Sequence, residues 1–113
     1  MDKKELEIER EWFKLRHKLK EKFGNLPDLN AMLFLIGIQE TGKLQNAFTK
    51  EEKQDLMHVG TCVLLSLEGY YKFSGRDSDG WPHWETLLPI PEFSIKEQEL
   101  FLKRQLIIYF KSV

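Results

Sequence analysis

The sequence predicts a mostly helical single compact domain, α+β by a small margin, with four helices and a short β-hairpin between the third and fourth. Three observations lead there. Apolar residues recur at helical spacing in three stretches, and a fourth stretch is apolar with no polar face. Between Gly69 and Leu88 that periodicity gives way to β-prone aromatics around a turn-rich centre. At 113 residues the chain has room for one domain, and 42% hydrophobic with 31% charged residues describes a globular protein with a real core.

The first helix is expected from about Lys3 to Phe23. Ile8, Trp12, Leu15 and Leu19 form its stripe, Phe13 and Phe23 widen it, and Gly24 suits the left-handed closing position. The second is expected from about Pro27 to Thr41, with Pro27 in its first turn and Asn25 accepting backbone donors before it. Leu29, Met32, Leu33, Phe34, Leu35, Ile36 and Ile38 make it apolar all round, as in a buried helix.

The third helix, about 50–67, follows Thr49 and Glu52, a capping box. Leu56, Val59, Gly60, Val63 and Leu67 share one face. Asp55, His58, Cys62 and Leu65 share the other, so neighbours on two sides are expected. Gly37 and Gly60 lie inside helices, where each costs about 1 kcal/mol relative to Ala; a close helix crossing or local plasticity would account for them. The hairpin should span about 70–87, with a loop of four to six residues within Gly75–Gly80 and Trp81-Pro82 as a candidate tight turn. The last helix, about 95–111, opens with the box Ser94/Glu97 and carries Ile95, Leu102, Leu106 and Tyr109 on one stripe.

A net charge of -1 offers no global field for nucleic acid or anionic lipid. The single cysteine, Cys62, can form neither an internal disulfide nor a thiolate zinc cage. Met1–Glu5 is densely charged and lacks the apolar core of a secretory signal. The longest apolar run, Ala31 to Ile38, is less than half of a membrane span of about 20 residues. A cytoplasmic location with no membrane contact is expected.

Four features are chemically suggestive. Asp77-Ser78-Asp79-Gly80 resembles part of a calcium loop, but the first and twelfth ligand positions fall on Gly75 and Thr86, so a turn is expected. His58 and Cys62, at i and i+4, share a helix face with Asp55, and His83 could approach from the hairpin. Such a set could hold zinc or form a Cys-His pair, or could simply pack. In the first helix, acids fill the first half and bases the second, a pattern that suits the helix dipole or a small patch for an anionic partner. Tyr71, Phe73, Arg76, Trp81 and Trp84 concentrate candidate binding side chains in the hairpin, where they could equally seal it onto the helices. No motif implies a cofactor or a resident metal, and no phosphate loop, nucleophile elbow, HExxH or dinucleotide signature is present.

Phe23–Lys43, Phe48–Ser66 and Gly69–Trp84 together resemble a family of short bacterial proteins of this length with no assigned activity. The resemblance implies a free-standing single-domain protein and assigns no site residue.

The leading expectation is a non-catalytic interaction or accessory protein with a protein partner or a second copy of itself. It would act through the hairpin aromatics and a face of helix 1 or 4. One alternative is a winged-helix-like nucleic-acid binder, opposed by Glu51, Glu52 and Asp55 at the start of the would-be recognition helix. The other is a small metal- or thiol-dependent enzyme using Asp55, His58, Cys62 and His83.

Overall fold

The computed structural model describes residues 2–43 and 45–111, the side chain of Phe23 excepted. In order, the elements are α1 (Lys3–Phe23), α2 (Leu29–Thr41), α3 (Lys50–Leu67), β1 (Tyr71–Arg76), β2 (Pro82–Thr86) and α4 (Ile95–Lys111). The chain is thus mostly helical, with one two-stranded antiparallel hairpin between α3 and α4. It divides into two compact units, Met1–Leu29 with Glu92–Val113, and Asn30–Pro91.

In the first unit, short polar side chains start both helices. Asp2 accepts the N–H of Glu5 at 2.8 Å. Ser94 and Glu97 satisfy each other's backbone donors at 3.1 Å, a complete capping box that also holds the Glu97 carboxyl below the usual carboxylate range. Trp12, Leu15 and Leu19 of α1 are buried, as are Leu102, Gln105 and Leu106 of α4. The two helices run parallel, because Lys96 pairs with Glu5 at 3.6 Å and Lys103 with Glu9 at 2.9 Å.

Lys103 is the central tie. Its ammonium also meets Glu99 at 3.2 Å and lies 5.6 Å from the centre of the Trp12 ring. Burial opposes its charge, but the hydrogen bonds it donates to Glu9 and Glu99 outweigh that and raise its pKa above the ordinary lysine value.

Two apolar residues depart from expectation. Phe13 is 63% exposed, its ring tilted against that of His17 at 4.2 Å instead of widening the stripe, because it is one residue (about 100°) beyond the buried Trp12. Ile95 is 88% exposed in the first turn of α4. The side chain of Phe23, expected in the stripe, lies outside the described part.

α2 begins at Leu29, two residues later than the sequence predicts. The residue before a proline is disfavoured in helical conformation, and Arg16 Nε donates to the Pro27 carbonyl at 2.8 Å, so residues 25–28 stay non-helical. Asn25 accordingly does not start the helix. Met32 and Ile36 are wholly buried, while Phe34, Leu35 and Ile38 are half-buried, with Phe34 edge-on to Phe48 at 5.1 Å. The helix is covered most completely on one face instead of all round.

That face explains the two mid-helix glycines. A Cβ on Gly37 would fall 2.6 Å from the carbonyl carbon of Leu56, and one on Gly60 would fall 3.0 Å from that of Leu33. Each glycine therefore lies against the backbone of the other helix, and the reciprocal order of contacts makes the crossing antiparallel. Thr49 and Glu52 form the expected capping box at the start of α3. Leu56, Val59 and Val63 are buried on one side and Cys62 and Leu65 on the other, as the two-faced pattern predicts, whereas Leu67 is exposed.

The hairpin pairs Tyr71 with Thr86, Phe73 with Trp84 and Arg76 with Pro82, with a register shift between Phe73 and Gly75. It is joined to the end of α3 by the Tyr70 N–H, which donates to the Leu65 carbonyl at 3.1 Å. No peptide bond among the described residues is cis, Trp81-Pro82 included.

Candidate functional site

The α3 face brings together two of the four titratable candidates. Helical i, i+4 spacing sets Cys62 Sγ 3.6 Å from His58 Nε2. Cys62 is buried, and burial pushes its thiol up to about 11, the opposite of an activated nucleophile. His58 and Asp55 are exposed on the same helix. His83 does not join them. Its Nε2 lies 2.9 Å from Asp77 Oδ2 in the hairpin loop. Among the described residues, no group of three His, Cys, Asp or Glu side chains is placed to hold a metal ion.

The loop resolves the calcium-like motif as a turn. Asp77 Oδ1 accepts the N–H groups of Asp79 (2.9 Å) and Trp81 (3.0 Å), while Oδ2 faces His83. The hydrogen bond to His83, followed by the one from Trp81, holds the Asp77 carboxyl below its usual range.

Two cations fix the loop to the C-terminal end of α2, where helix carbonyls lack internal partners. Arg76 donates to the Glu40 carbonyl at 2.6 Å and the Gly80 carbonyl at 3.0 Å. Lys43 donates to the Asp79 carbonyl at 3.3 Å and stands 4.7 Å from the Trp81 ring centre. Of the candidate binding residues, Arg76 is thus engaged in holding the loop, and Tyr71, Trp81 and Trp84 are half-buried. Phe73 is 47% exposed, edge-on to Trp84 at 5.5 Å and 5.8 Å from the Arg76 guanidinium. The Trp84 indole N–H is buried with no acceptor among the described residues.

A different surface is concave. Because α1 and α4 run parallel and are tied along one edge by the Lys103 cluster, their other edge is open. There a groove of about 400 Å³ has Ile8, Ile107 and Ile108 as its apolar lining and Lys4, Glu7, Glu11 and Arg104 as its charged lining. A second hollow, about 150 Å³, adjoins it and shares Glu11 and Ile107. It is also lined by Leu15 and Phe110, with Lys14, Lys18 and Lys111.

Compared with known protein families, curated proteins and solved structures, the chain matches none. No helix among the described residues is long and apolar enough to cross a membrane.

The sequence points to a face of helix 1 or 4 but not to the residues that form it. The available signal was the Ile107-Ile108 pair, which continues the apolar surface of α4 past the buried Leu102 and Leu106. That pair alone does not reveal a groove, since the second wall comes from Ile8, about a hundred residues earlier in the chain.

Proposed function

We propose that this chain is a non-catalytic protein-interaction module whose docking face is the open edge between α1 and α4. The observation that carries the reading is the groove itself. An apolar strip of Ile8, Ile107 and Ile108 bordered by charged side chains on both helices is the form that receives an amphipathic helix. The raised thiol of Cys62 adds support, since it is not poised as a nucleophile, and the contact of His83 with Asp77 keeps that imidazole in the hairpin loop.

The test is photo-cross-linking in living cells. A photoreactive residue replaces Ile108, which is 42% exposed, and a control replaces Lys72 on the outer surface of the hairpin. The expected result is a discrete protein adduct from position 108 that an Ile107→Asp substitution abolishes. Equal, diffuse labelling from both positions would sink the reading.

A further inference from the structure

The chemistry of the α1 wall identifies what occupies the groove. Between Lys4 and Glu21, the charged residues on the groove side of α1 are Lys4, Glu7, Glu11, Lys14, Lys18 and Glu21, all within about 100° of the helix circumference. Their order is plus, minus, minus, plus, plus, minus. Read backwards, every sign is reversed. Two copies of this face laid antiparallel therefore bring Lys4 against Glu21, Glu7 against Lys18 and Glu11 against Lys14, each pair occurring twice.

Within α1, Lys4 with Glu7, Glu11 with Lys14 and Lys18 with Glu21 are opposite charges at i, i+3, which neutralise the face in part. Glu7 with Glu11, and Lys14 with Lys18, are like charges at i, i+4, a spacing that destabilises an isolated helix. Glu11 and Lys14 do make an intrahelical pair, at 3.5 Å and well exposed. The helix dipole accounts for acids early and bases late, but it does not account for Lys4 and Glu21 at the inverted ends. An opposing antiparallel copy sets each of the six against a charge of opposite sign. Ile107 and Glu11, the residues common to the two hollows, lie at the middle of the match. Lys3 and Lys22 fall just beyond its ends, where rim charges are solvated and screened.

We infer that the groove is filled by a second copy of this chain, the two α1 helices packing antiparallel about a two-fold axis near Glu11–Lys14. The inference rests on the reading of this edge as a docking face.

Charge reversal with re-pairing tests it. Glu7→Lys/Glu11→Lys makes one variant and Lys14→Glu/Lys18→Glu the other. Each places like charges across its own two-fold, whereas a mixture of the two restores opposite charges at both ends. Sedimentation from about 1 μM to about 1 mM is expected to show wild type at twice the 13.5 kDa chain mass. Each variant alone should dimerise more than about tenfold more weakly, and the equimolar mixture should recover the dimer. Helicity measured on each variant separates loss of pairing from loss of fold.

A wild-type monomer throughout that range overturns the inference, as does a dimer indifferent to both variants or variants that fail to recover on mixing. The docking reading fails separately. If position 108 cross-links to a different protein while the chain stays monomeric, the groove is a docking face and the self-pairing is wrong.

Discussion

The two helix pairs of this protein are held together by opposite means. α2 and α3 cross with glycine against backbone, so nothing but main chain and small apolar groups separates them. α1 and α4 are joined along one edge by long charged side chains, Glu9 and Glu99 converging on Lys103, and remain parted along the other. Side-chain size at the contact decides the difference. A missing Cβ lets two backbones meet and leaves no room for a ligand, whereas a lysine bridged to two glutamates spaces its helices and leaves an edge to be covered. The first arrangement serves stability, and the second leaves a surface.

The sharpest way to break that comparison is to give the glycine crossing a side chain. Ala at position 60 or 37 gains about 1 kcal/mol of helix propensity, but its methyl would overlap a carbonyl group that cannot move without shifting a helix. A net loss of at least about 2 kcal/mol is expected, measured by denaturant unfolding. A neutral or stabilised Gly60→Ala protein would mean that the helices do not approach so closely.

The ionic pair should respond more mildly. Lys103→Met keeps an aliphatic stem beside Trp12 and removes the charge shared by Glu9 and Glu99, which are exposed enough to be rehydrated. The expected loss is about 1 kcal/mol at low salt, shrinking as salt screens the wild-type network. Thermal melts of both proteins across a salt series measure it, and a salt-independent difference would assign the effect to packing.

What the sequence disclosed follows the range of the interaction responsible. Thr49/Glu52 and Ser94/Glu97 were readable because a capping box closes within four residues. The mid-helix glycines fit either a close crossing or local plasticity, and the Leu33 and Leu56 backbones they meet lie across the α2/α3 interface, beyond the reach of local pattern. Phe13 is off its stripe because the helix turns about 100° per residue, whereas Ile95 lies on the α4 stripe but at the helix's first residue, where it is 88% exposed. The candidate set of Asp55, His58, Cys62 and His83 had one local pair, and only that pair came together. The groove was least legible of all, since it exists only once α1 and α4 lie parallel.

The two boxes extend the comparison, one in each unit. Thr49→Ala and Ser94→Ala each remove a hydroxyl that accepts a backbone N–H at 3.1 Å and should each cost about 1 kcal/mol. Native-state hydrogen exchange would show whether those costs stay local. At α3, whose body is locked by the glycine crossing, fraying should be confined to the first turn. At α4 it should spread toward Lys103. Equal spreading in both helices would contradict the distinction drawn between the two pairs.

The smallest effect concerns the hairpin loop, fastened to the second unit by charge, and its direction can be derived. Asp77 receives two backbone N–H groups and faces His83, and these hydrogen bonds hold its carboxyl below the ordinary aspartate value of 3.8. A carboxyl lowered on folding contributes stability that is fully present above its unfolded pKa and is lost as pH falls through its folded one. Asp77→Asn preserves shape and removes the charge, so wild type should be the more stable protein at about pH 5 and above, with the gap closing as pH drops below 3.8. Glu52 and Glu97 are also lowered by their caps, so wild type alone would show a composite acid transition. The difference between wild type and variant isolates the loop. Urea unfolding at stepped pH, followed by tryptophan fluorescence, measures it, and a gap that persists unchanged at pH 2 would assign Asp77 a role in shape and not in charge.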